Sequence, residues 1–242
     1  MRILIVNDDG IKAPGIRKLA ELSMQLGKVW VAAPKSQCSA MSQRITLFED
    51  IEVTPECYDL DGVRAYSVGG TPADCVKVAL EFLMPEKPDI VFSGINSGYN
   101  TGIDILYSGT VGAAMEALAN GIRSFAFSNK NDTSWETADA YLISIVKELL
   151  DENLSMDRIW NVNFPGCELS ECKGILRDRI PAKHQFYQDD YVRTNHADGS
   201  FSLRSKGVMT EKAEEGTDIS ALLNNFISIG SVRCAALGYQ KD

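Results

Sequence analysis

Along the first two thirds of the chain, short apolar runs alternate with segments of helical period. Ile3-Leu4-Ile5-Val6 is an unbroken apolar run that ends at Asn7-Asp8-Asp9-Gly10, the pattern of a short parallel strand buried on both faces. Ile16, Leu19, Ala20, Ser23 and Leu26 then recur at helical spacing, with Pro14 where a first helical turn tolerates it. Val29-Trp30-Val31-Ala32-Ala33 repeats the strand signal, and Pro34 opens a polar loop. Val76, Ala79, Leu80 and Leu83 predict the next helix; Pro88-Asp89 punctuates it ahead of a strand at Ile90-Val91-Phe92. A third helix carries Val111, Ala114, Met115 and Leu118, and a fourth carries Ala138, Leu142, Ile145, Val146 and Leu149. Strands are predicted over Ile122 to Phe127 and Ile159 to Phe164. Alternation of this kind implies right-handed βαβ crossovers, hence a Rossmann-like three-layer α/β/α fold around a mostly parallel sheet.

From about Gly174 the alternation weakens. Tyr187 to Gly216 is polar and lacks apolar periodicity, which fits a long β-hairpin, a subunit-exchange arm or a mobile loop. Ile219, Leu222 and Leu223 then follow a short helical pattern after Asp218, and Phe226-Ile227-Ser228-Ile229 alternates like a strand. The expected organisation is a core over residues 1–174 and, within the same domain, an extension over 175–242 holding a hairpin, a helix and a final strand.

Charge narrows the choice of partners. The chain has 242 residues, enough for one large core, and its 24 basic against 33 acidic residues leave a net charge of −9. That balance opposes sequence-independent nucleic-acid binding and docking on an anionic membrane, while leaving room for a small anionic substrate neutralised by a bound divalent ion. Cys38, Cys57, Cys75, Cys167, Cys172 and Cys234 form no Cys-x-x-Cys pair and no regular framework, so reduced thiols in a cytoplasmic protein are expected. No stretch is apolar and long enough to span a bilayer.

In an open α/β sheet, ligands gather at the carboxyl ends of the strands, where three segments of this chain carry polar residues. The first offers Asp8 and Asp9; the second opens a loop with Ser36, Ser39 and Ser42; the third gives Ser93-Gly94-Ile95-Asn96. Adjacent carboxylates repel each other and would repel a phosphate, so the pairing is favourable chiefly around a cation. All-oxygen donors suit Mg²⁺, Mn²⁺ or Ca²⁺; the two histidines, His184 and His196, lie in the irregular C-terminal part, which argues against zinc. An ordinary turn at Asp8-Asp9-Gly10 explains the same residues, a solvated or capping role suits Ser39, and Asn96 taken singly also fits a turn.

Glycines dominate the stretch from Gly94 to Gly102, and Tyr107-Ser108-Gly109-Thr110-Val111-Gly112-Ala113-Ala114 follows. Ser108, Gly109 and Thr110 stand at a helix start, where free N–H groups and the dipole favour phosphate. A capped helix packed closely through Gly112, Ala113 and Ala114 is compatible with that role. Neither a P-loop nor a Gly-x-Gly-x-x-Gly after the first strand is present, which disfavours nucleoside-triphosphate and dinucleotide chemistry. In Gly70-Thr71-Pro72-Ala73-Asp74-Cys75-Val76, the pattern is that of helix initiation: Thr71 caps, Pro72 opens and Asp74 sits three residues on, with Cys75 a small core residue.

Together these motifs resemble the SurE family of survival-protein nucleotidases. The resemblance runs from Ile3 to Ile11 with Ala13-Pro14-Gly15-Ile16, through Ala33-Pro34, Ser39 and Ile45-Thr46-Leu47, to Gly70–Val76, Pro88–Val91, Ser93–Asn96 and Tyr107–Ala114. Asn161-Val162-Asn163-Phe164-Pro165 and Thr217-Asp218 extend it, whereas Asn225-Phe226 and Gly230-Ser231 replace a frequent glycine-tyrosine and threonine-proline. It implies a metal-dependent phosphatase acting on nucleoside 5'- and 3'-monophosphates, with extension to short polyphosphate. One divalent ion per subunit, Mg²⁺ or Mn²⁺, is implied at Asp8, Asp9, Ser39 and Asn96, with phosphate surrounded by Ser108, Gly109 and Thr110. A homodimer or homotetramer built by exchange of C-terminal elements is implied as well.

The expected mechanism uses the ion to acidify a water that attacks phosphorus in line, with Asp8, Asp9 and Asn96 as the catalytic set and helix-start amides stabilising the phosphoryl charge. The competing reading is a metal-assisted nucleotide sensor that does not hydrolyse its ligand. An aspartyl-phosphate mechanism of the haloacid-dehalogenase type is disfavoured, because it needs Asp-x-Asp and the acids here are adjacent.

Overall fold

The computed structural model describes residues 1–131 and 133–237, so the last five positions of the 175–242 extension lie outside it. The elements run β1 (Arg2–Val6), α1 (Pro14–Ser23), β2 (Lys28–Pro34), β3 (Val53–Glu56), β4 (Arg64–Val68) and α2 (Pro72–Val78), the last widening to π geometry over Ala79–Leu83. They continue with β5 (Ile90–Ser97), α3 (Gly109–Ala119), β6 (Ser124–Asn129), α4 (Glu136–Asp151) and β7 (Arg158–Phe164). The extension holds β8 (Ile175–Leu176), β9 (Tyr187–Gln188), β10 (Tyr191–Asn195), β11 (Phe201–Ser205), β12 (Val208–Met209), α5 (Asp218–Leu223) and β13 (Ile227–Arg233).

One sheet of nine strands has the order β3-β4-β2-β1-β5-β6-β7-β13-β8. From β4 to β7 every neighbouring pair is parallel, whereas β3 pairs antiparallel with β4 and β13 antiparallel with β7. Strand alternation explains the three layers: Ile3 and Ile5 meet α1 and α4 through Ile16, Leu19, Leu142 and Val146, while Leu4 and Val6 meet α2 and α3 through Val76, Ala113 and Ala117. Two edge-side strands, β3 and β4, were not expected from the pattern. The strand predicted from Ile122 begins at Ser124, because Gly121 (φ +70°) ends the preceding helix and Ile122 packs with the α2–α3 cluster.

After β1 the chain moves outward through β2, β3 and β4, then crosses back through α2 to β5 on the other side of β1. The β1/β5 boundary is therefore the topological switch point, and the Asp8 and Asn96 segments both emerge there. The polar stretch after Tyr187 is a long hairpin, in which β9 pairs with β12 and β10 with β11. Its base is held by a small cluster of Tyr99, Ala182, Phe186, Ile219 and Leu222. No helix among the described residues is long and apolar enough to cross a membrane.

Candidate active site

Asn7, not either acid, makes the turn after β1. Its Nδ2 donates to the Gly10 carbonyl at 3.0 Å and its Oδ1 accepts from the Gly10 N–H at 3.2 Å, with Gly10 at φ +101°. Asp8 and Asp9 are thereby released from turn formation. Asp8 is 4% exposed, and its Oδ1 accepts from the Thr110 hydroxyl at the start of α3. Burial raises its pKa to about 6, helped by the neighbouring Asp9 charge and opposed by the Thr110 bond. Burial also raises the pKa of Asp9, whose Oδ2 accepts from the Ser97 N–H at 2.8 Å.

The third segment reaches the site through an irregularity in β5. Between Ser93 and Asn96 the strand advances three residues while β6 advances two, from Ala126 to Ser128. Gly94 makes that possible: it has φ +133°, and a Cβ there would lie 2.3 Å from the Phe127 carbonyl oxygen. Asn96 then donates from Nδ2 to the Gly98 carbonyl at 2.9 Å, which leaves its Oδ1 as the oxygen available to ligate a cation.

The loop after β2 enters over the same ground. Cys38 N–H donates to the Asp8 carbonyl at 2.7 Å, which seats Ser39 beside the β1 turn. The three candidate serines now separate. Ser42 spends its hydroxyl on the Leu106 carbonyl at 2.8 Å, and Ser36 does not line the cavity, whereas Ser39 does.

Asp8, Ser39, Asn96 and Ser108 line one cavity of about 620 Å³. Asp9 faces an adjoining recess of about 310 Å³, which shares Gln37 and Ser97 with the first. The two acids therefore stand at the junction of two open spaces. Ser108 caps α3, its Oγ accepting from Val111 N–H at 3.0 Å. Thr110 is fully buried, so its side chain serves Asp8 and not the cavity. Gly109 lies beneath the Asp8 carboxylate, where an added Cβ would meet Asp8 Cβ at 2.8 Å and Oδ2 at 3.0 Å.

Comparison with known proteins settles the lineage. The family model described as Survival protein SurE matches residues 3–185. This chain belongs to the SurE family. A relative from Clostridium botulinum (strain Loch Maree / Type A3), named 5'-nucleotidase SurE, is 39% identical over 95% of this chain and 91% of its own length. Another so named, from strain 657 / Type Ba4 of that organism, is 38% identical over the same shares. The crystal structure of the SurE protein from Aquifex aeolicus matches with a TM-score of 0.83 at 36% identity, covering 99% of this chain and 96% of that one.

Other parts of the SurE cavity come from residues the sequence pattern did not single out for the site. Asn100 anchors its wall: its N–H donates to Asn163 Oδ1 at 2.9 Å, its carbonyl accepts from Asn161 Nδ2 at 2.9 Å, and its Nδ2 donates to Ser128 Oγ at 2.8 Å. Tyr107, Tyr187 and Tyr191 add aromatic surface, the last two from the hairpin. Asp104 ties that hairpin down by accepting from the N–H groups of Phe186 (2.8 Å) and Tyr187 (3.0 Å). A cue lay in the Asn-Val-Asn spacing of Asn161 and Asn163, which puts both amides on one face of β7.

Proposed function

We propose that this chain is a divalent-metal-dependent phosphomonoesterase that converts nucleoside monophosphates, both 5' and 3', to nucleoside and inorganic phosphate. The observation that carries the reading is the convergence of oxygen donors from three chain segments beside the start of α3. The relatives' name, 5'-nucleotidase SurE, gives the substrate class. Asp8, Asp9, Ser39 and Asn96 would hold one Mg²⁺ or Mn²⁺ per subunit. The donor set fits: it is all oxygen, Asp9 Oδ1 and Asn96 Oδ1 are left over after their partner atoms are engaged, and buried Asp8 has no cation partner among the described residues. When bound, the ion supplies positive charge to the phosphate and makes a nearby water more acidic.

The protein's own groups do the rest. Burial of Asp8 under α3 excludes water from one side of the site, and the Thr110 hydroxyl fixes its carboxylate. Asp9, open to the adjoining recess, is placed to orient or deprotonate a water. Ser108 and the N–H groups at the tip of α3 supply partial positive charge to phosphoryl oxygens. The tyrosines of the large cavity offer faces for a base and ribose, and Asn100 keeps that wall rigid. Action on short polyphosphate, a cytoplasmic location and a homodimer or homotetramer using the C-terminal hairpin belong to the same reading, which invokes no nucleic-acid or membrane partner.

Phosphate release from AMP with Mg²⁺ or Mn²⁺, against an EDTA control, tests it. Turnover that EDTA abolishes and fresh metal restores is expected. Saturable nucleotide binding with no release would replace the enzyme by a non-catalytic sensor.

A further inference from the structure

The Gly70–Val76 motif, read from the sequence as helix initiation alone, does more than start a helix. Asp74 and Thr71 do form the reciprocal capping box of α2, with Thr71 N–H donating to Asp74 Oδ2 at 2.9 Å. The capping box asks only that bond of the Asp74 carboxylate, the other being from the Asp74 N–H to the Thr71 hydroxyl at 3.2 Å. The same carboxylate, 2% exposed, also accepts from the Thr46 N–H at 3.1 Å and the Thr46 hydroxyl at 2.6 Å, across 28 residues. All its partners among the described residues are N–H or hydroxyl groups; no cation pairs with it. Buried charge of this kind is costly unless every lone pair is used, so loss of one bond is felt by the whole set.

Thr46 belongs to the segment between β2 and β3 that carries Ser39 and has no helix or strand of its own. Ala40 (φ +57°) and Ser42 (φ +52°) hold left-handed conformations unusual for their residue types, so this path persists only if its ends are held. Its near end is held by Cys38 on Asp8. Its far end is held by α2, through Asp74 on Thr46 and through the Thr71 hydroxyl, which donates to the Arg44 carbonyl. In between, the Ser42 N–H donates to the Tyr107 carbonyl at 2.9 Å and Gln43 Nε2 to Glu116 at 2.8 Å.

We propose that Asp74 is a positioning residue for the cation site: by clamping Arg44 to Thr46 onto the start of α2 it fixes the strained loop that presents Ser39, and so sets affinity for the divalent ion. The inference rests on the assignment of Ser39 as an ion ligand made above. Asp74 does not line the cavity that Asp8 and Ser39 share.

The test is uptake of free Mn²⁺, followed by its EPR signal, by the whole metal-free protein and by Asp74→Asn, Thr46→Val, Thr46→Ser and Ser39→Ala. Asp74→Asn should weaken Mn²⁺ binding about tenfold, the usual scale for a group that orients a ligand. Thr46→Val removes only the loop-side hydroxyl and leaves the helix cap intact; it should weaken binding several-fold, and Thr46→Ser should restore it. In turnover of AMP, the defect of both weakened variants should recover at saturating Mn²⁺. If Asp74→Asn and Thr46→Val lose thermal stability yet bind Mn²⁺ within twofold of the parent, while Ser39→Ala binds weakly, the clamp has no part in the site and the inference is overturned. If the parent takes up no Mn²⁺, the site assignment itself fails and the inference with it.

Discussion

Replacing Asp8 by asparagine should stabilise the metal-free protein while abolishing its activity. The Asp8 carboxyl is almost wholly buried, and its pKa stands near 6 against an ordinary 3.8, with desolvation as the main cause. At about 1.4 kcal/mol per pH unit, holding this group ionised at pH 8 costs the metal-free fold about 3 kcal/mol. The folded pKa lies above the unfolded one, so the folded state binds the proton more tightly. This group's contribution to stability is therefore complete below about pH 4 and is lost as pH rises through about 6.

Asparagine has no such penalty at any pH, and the charge-assisted bond from Thr110 is already contained in the pKa of about 6, so it makes no separate deduction. The net expectation in EDTA at pH 8 is a gain of about 3 kcal/mol, or about 6–12 °C in Tm for a chain of this size. At pH 4 the gain should vanish. In Mn²⁺ the order should reverse, because the parent gains binding free energy and the variant does not. Thermal and urea unfolding in EDTA at both pH values, repeated in Mn²⁺, measure all three. A variant less stable than the parent in EDTA at pH 8, or a difference that does not change between pH 4 and pH 8, would refute the reasoning.

Three further substitutions probe the same architecture. Thr110→Val deletes the hydroxyl that holds Asp8, a bond to a charged group worth about 1.5–3 kcal/mol, so kcat/KM for AMP should fall about 10- to 100-fold with an unchanged circular dichroism spectrum. Gly109→Ala puts a methyl group against Asp8 Cβ and should cost about 1–3 kcal/mol in urea unfolding and lower Mn²⁺ affinity in the same protein. Gly94→Ala combines a forbidding φ with a clash on the Phe127 carbonyl, and should lower stability by about 3 kcal/mol or more, read as a drop in Tm with little soluble protein at 37 °C.

The elements that could be read directly from the sequence are those whose apolar pattern is self-sufficient. Strands β1, β2, β5 and β6 are buried on both faces and carry continuous apolar runs, and β7 is equally buried although Asn161 and Asn163 interrupt its run; α1 and α4 show one apolar stripe each. Strand β3 escaped because Val53-Thr54-Pro55-Glu56 is exposed at the sheet edge and contains a proline. Strand β4 did carry a signal: Arg64-Ala65-Tyr66-Ser67-Val68 is rich in strand formers and ends at paired glycines, but Arg64 and Tyr66 reach solvent and dilute the run. The hairpin was visible only as an absence of helical period, since all of its β10 and β11 side chains are exposed.

The site divides along a different line. Asp8, Asp9 and Asn96 were legible because strand ends in an open α/β sheet converge at a known place, which depends on topology alone. What each side chain does there depends on contacts made across the chain, and these have no local signature. Thr110 and Ser108 are separated by a single residue, yet Thr110 is buried behind Asp8 while Ser108 borders the cavity. Asp74 satisfies a local helix-start rule completely, and that very completeness concealed its second set of bonds to Thr46. Sufficiency of a local explanation is therefore poor evidence against a distant role when the group is a buried carboxylate, since such a group must satisfy more lone pairs than a cap supplies. By the same logic Asp218, buried and accepting from Gly102, Ala182 and Ile219 N–H groups, is a joint between the extension and the glycine-rich loop as well as the first residue of α5.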